Sequence, residues 1–205
     1  MIFAGSDSEM ISKLAKSIAH FFVVQNITEE SKEVIYAYGM ELLISDVLNT
    51  IIALLIALFS HTLPAVVVFI AVFMGLRQFV GGFHANSHLS CMFTLVMVMM
   101  VFSYGICNVS GHITPIFSIS FIMIALPIIL CIAPVPHPNK PMSEEKSVKL
   151  RKRSCILAVT LSVVTIALLV FQYQKLSLYV SSGMLLSAIM ALLGHFLNRG
   201  DNSKR

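Results

Sequence analysis

Cys91 follows His84 by seven residues in the run Arg77-Gln78-Phe79-Val80-Gly81-Gly82-Phe83-His84-Ala85-Asn86-Ser87-His88-Leu89-Ser90-Cys91. Nucleophilic catalysis by cysteine needs a thiolate, and a nearby imidazole can take the thiol proton and later return one to a leaving amine. In a straight helix seven residues separate the two positions by about 10 Å, too far for a hydrogen bond. Gly81-Gly82 removes that objection, because a glycine pair can break the helix and fold His84 back toward Cys91. His88, three residues from Cys91, is a rival base. Spacing alone does not select this pair, since Cys107 stands near His112 and Cys131 near His137. For any single cysteine a small apolar packer is the simpler reading. No two cysteines have CxxC spacing, so neither a disulfide framework nor a zinc site is expected, and no cofactor is implied.

The chain that must hold these residues is poor in charge. Of its 205 residues 57% are hydrophobic and 12% charged, and the mean hydropathy is +0.87. A soluble domain carries roughly 25% charged residues, so this chain could not cover its own surface in water. Residues 47–76, 78–139, 154–174 and 176–198 contain no Asp, Glu, Lys or Arg. About 20 apolar residues cross a bilayer core as a helix, so residues 78–139 must hold two crossings. The reading is an all-α polytopic membrane protein with six transmembrane helices, at 34–60, 63–83, 89–109, 113–133, 154–172 and 176–197. The lipid bilayer is then its main partner. Soluble enzyme, disordered regulator and nucleic-acid binder are excluded as primary readings.

The net charge is +4, and its placement sets the orientation. With six spans, thirteen of the 14 basic residues fall on one face and only Lys175 on the other. The positive-inside rule puts the thirteen in the cytoplasm, with both termini, in a multi-pass protein of the cell membrane. A secretory signal is not expected, because the first long apolar stretch begins near Val34 and no cleavage-site pattern precedes it. Residues 1–33 form a cytoplasmic or interfacial segment, 34–197 the six-helix domain with a cytoplasmic basic loop at 134–153, and 198–205 a cytoplasmic tail. Within 8–26, Met10, Ile11, Leu14, Ile18, Phe21 and Phe22 recur at helical spacing, with Lys13, Lys16, Ser17 and His20 mostly opposite. Two readings fit: a helix lying on the inner leaflet, or an amphipathic helix packed on the bundle. In the loop, Pro134, Pro136, Pro138 and Pro141 stiffen the start, and Ser143-Glu144-Glu145 opens a short basic helix.

Ionisable groups inside spans need a partner or a function. Glu41 in span one and Arg77 in span two both fall about 10 Å inside the cytoplasmic edge, so an ion pair between antiparallel neighbours is cheap. Such a pair is either a structural lock or part of a substrate contact. Asp46 lies deeper, roughly 18 Å in, with no partner visible in the sequence.

The composite Arg77-x3-Gly81-Gly82-x-His84-Ala85-x5-Cys91 resembles the signature of the accessory gene regulator B (AgrB) family of membrane-embedded cysteine endopeptidases. Tyr36-Ala37-Tyr38-Gly39-Met40-Glu41 and Ala133-Pro134-Val135-Pro136-His137-Pro138-Asn139-Lys140-Pro141 are also similar to that family, and the likeness covers most of the chain. The resemblance implies processing of an AgrD-type precursor peptide in quorum sensing. Cys91 would attack a peptide carbonyl, His84 would activate the thiol and protonate the leaving amine, and the charged tail would leave. A cysteine or serine of the peptide would then close a thiolactone or lactone ring on the thioester. Gly81 and Gly82 are candidates for the turn and for oxyanion donors; Gln78, Asn86 and Ser87 could orient His84 or donate to the oxyanion. Lys149, Arg151, Lys152 and Arg153 are candidates for docking the acidic tail of such peptides, or are an ordinary positive-inside anchor.

A second class of function fits the buried charges: a small transporter or exporter subunit with Asp46, Glu41 and Arg77 on an ion or substrate path. That class expects repeat symmetry, and none is found. A membrane scaffold without chemistry is the third reading. Small residues in the last span, among them Ser181, Ser182, Gly183, Ser187, Ala188, Ala191 and Gly194, permit close helix approach, either within the bundle or in a homodimer. The family resemblance leans toward self-association.

Overall fold

The computed structural model describes residues 6–81, 88–135 and 144–202. Its helices are α1 (Ser6–Val24), α2 (Glu33–Phe59), α3 (Leu63–Val80), α4 (His88–Met100), α5 (Thr114–Ile132), α6 (Glu144–Val170) and α7 (Gln174–Asn202). A single 3-10 turn, Glu30–Lys32, leads into α2. After α4 the chain continues as a π-helical turn, Val101–Gly105, and a 3-10 turn, Ile106–Asn108. No strand occurs among the described residues; one isolated bridge joins Gly81 and Val135.

Among the described residues, five helices are long and apolar enough to cross a membrane: Glu30–Phe59, Leu63–Val80, Thr114–Ile132, Ser147–Val170 and Gln174–Phe196. The protein is an all-α, multi-pass membrane protein. The third expected span corresponds to a shorter apolar stretch, Met92–Asn108, which changes from α to π to 3-10 geometry along its length. Residues 144–153 are the first turns of α6, so the basic segment and the fifth expected span form one 27-residue helix. Continuity has a simple cause, because no Gly or Pro interrupts the sequence from Glu144 to Val170. Glu144 and Glu145 occupy the first turn, where the helix dipole favours acids.

The chain divides into two units, residues 1–56 with 85–100, and residues 57–84 with 101–205. In the first, α1 buries Ala15 and Ala19 completely and half-buries Ile11, Ile18 and Phe22. It meets the start of α2 through His20 Nδ1 and Glu33 Oε1, 3.3 Å apart, and through the edge-on rings of Phe22 and Tyr36. Met10, Leu14 and Phe21 stay exposed on a separate stripe, as do Lys13, Lys16, Ser17 and His20. Helix α1 therefore packs on the protein by one face and still presents an apolar stripe beside its lysines.

In the second unit α7 is the central element, touching α3, α5 and α6. Its small residues admit that approach. A Cβ on Gly183 would lie 3.0 Å from the Phe69 carbonyl oxygen, and Ser118 Oγ and Ser177 Oγ are 3.1 Å apart across α5 and α7. Ser181, Ser187, Ala188 and Ala191 are buried, so much of the small-residue face of the last span is used within the bundle. Between helices in lipid, close packing and hydrogen bonds take the place of a hydrophobic driving force. Hydroxyls of Ser118, Ser162 and Thr165 donate back to carbonyls one turn earlier, which keeps them satisfied without water. Leu76, Val80, Ile129, Ala158 and Met184 form the centre of this packing.

Candidate active site

The run that carries the cysteine motif begins at the end of α3. Arg77, in the last turn, places its guanidinium carbon 5.4 Å from the centroid of the Phe73 ring. The helix stops at Val80 because Gly81 takes φ +73°, a region that side chains disfavour. The Gly81 N–H donates to the Arg77 carbonyl at 3.0 Å. That donor is engaged in the turn. A Cβ here would fall 2.6 Å from the Val135 carbonyl oxygen. The Val135 N–H in turn donates to the Val80 carbonyl at 2.9 Å. One of the last carbonyls of α3, which has no partner inside the helix, is thus capped by a residue 55 positions later in the chain.

His84, with Gly82, Asn86 and Ser87, lies outside the described residues, as does His137. Cys91 is the fourth residue of α4. The backbone therefore puts it in a first helical turn, where unsatisfied N–H groups and the helix dipole favour an anion. Cys91 belongs to the first unit, and Gly81 and Arg77 to the second. Glu41 is half-buried on α2, and Asp46 is exposed further along it.

The other cysteines have different surroundings. Cys131 is exposed on α5, on the side away from the buried Ile129 and Ala133. Cys107 is half-buried in the 3-10 turn that ends the α4 segment, and its carbonyl accepts a hydrogen bond from Lys175. Cys155 is half-buried near the start of the apolar part of α6. The four basic candidates are all exposed, and Lys149 Nζ is 2.6 Å from Glu145 Oε1.

The sequence pattern described as Accessory gene regulator B matches residues 10–191. The chain belongs to the accessory gene regulator B family. A Clostridium beijerinckii protein named as AgrB-like is 25% identical over 145 residues, 69% of this chain and 71% of that one. No solved structure gives a significant match. AgrB membership, with several membrane-length apolar helices, makes this a multi-pass membrane protein of accessory gene regulator quorum sensing, acting on a precursor peptide. The AgrB match includes every residue considered above, from Glu41 to the basic turns of α6. Spacing gave no sign that Val135 would reach Gly81, although each sits in a segment that resembles the family.

Proposed function

We propose that this AgrB-family chain is a cysteine endopeptidase that removes the C-terminal tail of an AgrD-type precursor peptide and retains the signal portion as a thioester. The observation that carries the reading is the composite Arg77-x3-Gly81-Gly82-x-His84-Ala85-x5-Cys91, which lies inside the family match. The first-turn position of Cys91 on α4 supports it.

His84 takes the Cys91 proton, and the thiolate attacks the carbonyl carbon of the scissile peptide bond. The tetrahedral oxyanion is met by a backbone N–H such as that of Gly82. As the C–N bond breaks, the His84 imidazolium gives its proton to the leaving amine and the tail departs. The acyl group stays on Cys91 as a thioester. A cysteine thiolate of the peptide, or a serine hydroxyl whose proton passes to the now neutral His84, then attacks that carbonyl and expels the Cys91 thiolate, closing the macrocycle. Thioester exchange keeps the acyl group activated, and a site short of water favours it over hydrolysis. Arg151, Lys152 and Arg153 dock an acidic tail, and Arg77 with Glu41 either holds the second span in register or meets a substrate carboxylate. The chain lies in the cell membrane with its termini in the cytoplasm, and acts alone or as a homodimer. The segments 1–33, 34–197 and 198–205 are its interfacial segment, peptidase domain and tail.

The test is mass spectrometry of an AgrD-type peptide co-expressed with wild type, Cys91→Ala and His84→Ala at matched membrane levels. Wild type is expected to release the tail and both variants to leave the peptide intact. Tail release by Cys91→Ala would overturn the reading.

A further inference from the structure

Helix α1 carries three faces rather than two. At about 100° per residue, Ile11, Ala15, Ile18, Ala19 and Phe22 fall on one side, and these are the residues that the protein buries or half-buries. Met10, Leu14, Phe21 and Val24 fall within a separate arc of about 80°, and all four are exposed. Lys13 and Lys16 follow on the far side of that arc, exposed as well. Between Met10 and Val24 the apolar arc contains one polar residue, Ser17, and its Oγ donates back to the Lys13 carbonyl at 2.9 Å. A hydroxyl with its partner on its own helix can lie against hydrocarbon at little cost.

The depth of the helix is set by its neighbour. His20 Nδ1 lies 3.3 Å from Glu33 Oε1, and the Phe22 ring meets the Tyr36 ring edge-on, so the C-terminal half of α1 lies beside the first turn of α2. That is where the membrane-length helix Glu30–Phe59 begins, and Val34 and Ile35 are already 80% and 68% exposed there. The stripe of α1 thus lies at the level where α2 first presents bare apolar side chains to lipid. Crossing is not open to α1 itself: its 19 residues include Asp7, Glu9, Lys13 and Lys16, and it is not one of the five membrane-length helices. Asp7 and Glu9 belong to its first turn, where the dipole favours acids, and the lysines are the charges of the later turns. An apolar side with lysines beside it, held at that level, is the pattern of a helix lying in the plane of the interface.

We propose that α1 is a lipid-binding brace: Met10, Leu14, Phe21 and Val24 insert at the boundary of acyl chains and headgroups, and Lys13 and Lys16 hold the phosphates of acidic phospholipids beside them. Its assignment to the cytoplasmic leaflet rests on the orientation proposed above, whereas the site itself does not depend on the endopeptidase reading. Charge selects lipid over a second copy as the occupant. A copy related by a two-fold axis along the membrane normal would bring the lysine edges of two stripes to the same side, like charge beside like. Acidic headgroups meet the same edge with opposite charge.

The chain contains no tryptophan, so a single one reports on its own surroundings. Full-length Phe21→Trp, Leu14→Trp and Phe22→Trp proteins are reconstituted in vesicles of phosphatidylcholine and phosphatidylglycerol in equal parts. Each lipid in turn carries bromine on its acyl chains as a quencher, and acrylamide reports access to water. Phe21→Trp and Leu14→Trp should be quenched by bromine and shielded from acrylamide, whereas Phe22→Trp, on the packing face, should be reached less by either. Brominated phosphatidylglycerol should quench Phe21→Trp more than brominated phosphatidylcholine does, since one cation near an acidic surface gives about fivefold local enrichment. Adding Lys13→Gln and Lys16→Gln to Phe21→Trp should abolish that preference. If Phe21→Trp does not accumulate in the membrane, Leu14→Trp carries the comparison.

Quenching of both stripe positions by acrylamide and not by bromine places α1 in water and overturns the proposal. Shielding from both quenchers overturns it too: if dilution in lipid removes the shielding, a second copy covers the stripe, and otherwise the rest of the chain does. Equal quenching by the two brominated lipids, unaltered by the lysine changes, overturns the headgroup site. No precursor peptide enters the measurement and Cys91→Ala protein serves equally, so a failure here is distinct from a failure of the endopeptidase reading.

Discussion

Lys175 Nζ donates to the carbonyl oxygens of Cys107 and Val109, at 2.9 and 2.7 Å. Both acceptors lie at the end of the segment that passes from α4 through a π turn to a 3-10 turn, and Lys175 lies in the first turn of α7. The cation thus closes off carbonyls that irregular helical geometry leaves without intrahelical partners. It is the one basic residue that the charge distribution separated from the other thirteen.

Replacing Lys175 by Met should therefore loosen this end of the bundle. Two charge-assisted bonds at an exposed site are together worth about 1–2 kcal/mol after solvent competition. Thermal unfolding in detergent should show a lower midpoint for Lys175→Met, with Lys175→Arg close to wild type. An unchanged midpoint in Lys175→Met would mean that water replaces the ammonium without loss.

The glycines of the spans should respond in opposite directions. Gly183 faces the Phe69 carbonyl at 3.0 Å and Val72 at 3.0 Å, so Gly183→Leu forces α3 and α7 apart and should destabilise by about 1–3 kcal/mol. Gly75 has nothing within 4 Å of a built Cβ. Gly75→Ala, in the helical interior, should be neutral or stabilise by up to about 1 kcal/mol. The same unfolding measurement decides both, and a destabilised Gly75→Ala would show that the site is more crowded than its surroundings indicate.

The contrast between these glycines shows what can be read from sequence. Charge-free runs between basic segments located the apolar helices, because apolar length and charge are properties of the chain itself. Gly75, Gly81 and Gly183 look alike in a sequence, yet only contact across the fold separates an idle position from an obligatory one. The helix break at Gly81 follows from local chemistry. The approach of Val135 depends on the chain after α5 returning to the end of α3, which no local pattern encodes. The third expected span shows the same limit: its apolar length was legible, its change to π and 3-10 geometry was not. Helix α1 shows the limit as well, since the buried Ala15 and Ala19 are too small to reveal a packing face against the larger, exposed Met10, Leu14 and Phe21.

The basic turns of α6 should not act as four equal cations. All four are exposed, but Lys149 is paired with Glu145 one turn earlier. Changing these three to Gln should raise KM for a peptide with an acidic tail by about tenfold, with kcat little changed, and the loss should shrink as salt screens the wild type. Lys149→Gln alone should change KM less than twofold, about the effect of a surface pair. An equal effect of Lys149→Gln and of the single changes at 151–153 would show that Glu145 does not hold Lys149 away from substrate.

Water should decide what becomes of the thioester. Hydrolysis and ring closure compete for the same acyl group on Cys91, and the peptide's own nucleophile wins only while bulk water is kept away. The protein in liposomes should therefore give mostly cyclic product, while the same protein in detergent gives a larger share of linear, hydrolysed peptide at a similar rate of tail release. Liquid chromatography with mass spectrometry separates the two, because the linear form is heavier by one water. Cys131→Ser and Cys107→Ser should leave both rate and ratio within about twofold, as expected of cysteines that serve only as small packing residues. A linear share that is the same in detergent and in liposomes would place the second step in a water-accessible site and leave ring closure to the reactivity of the peptide itself.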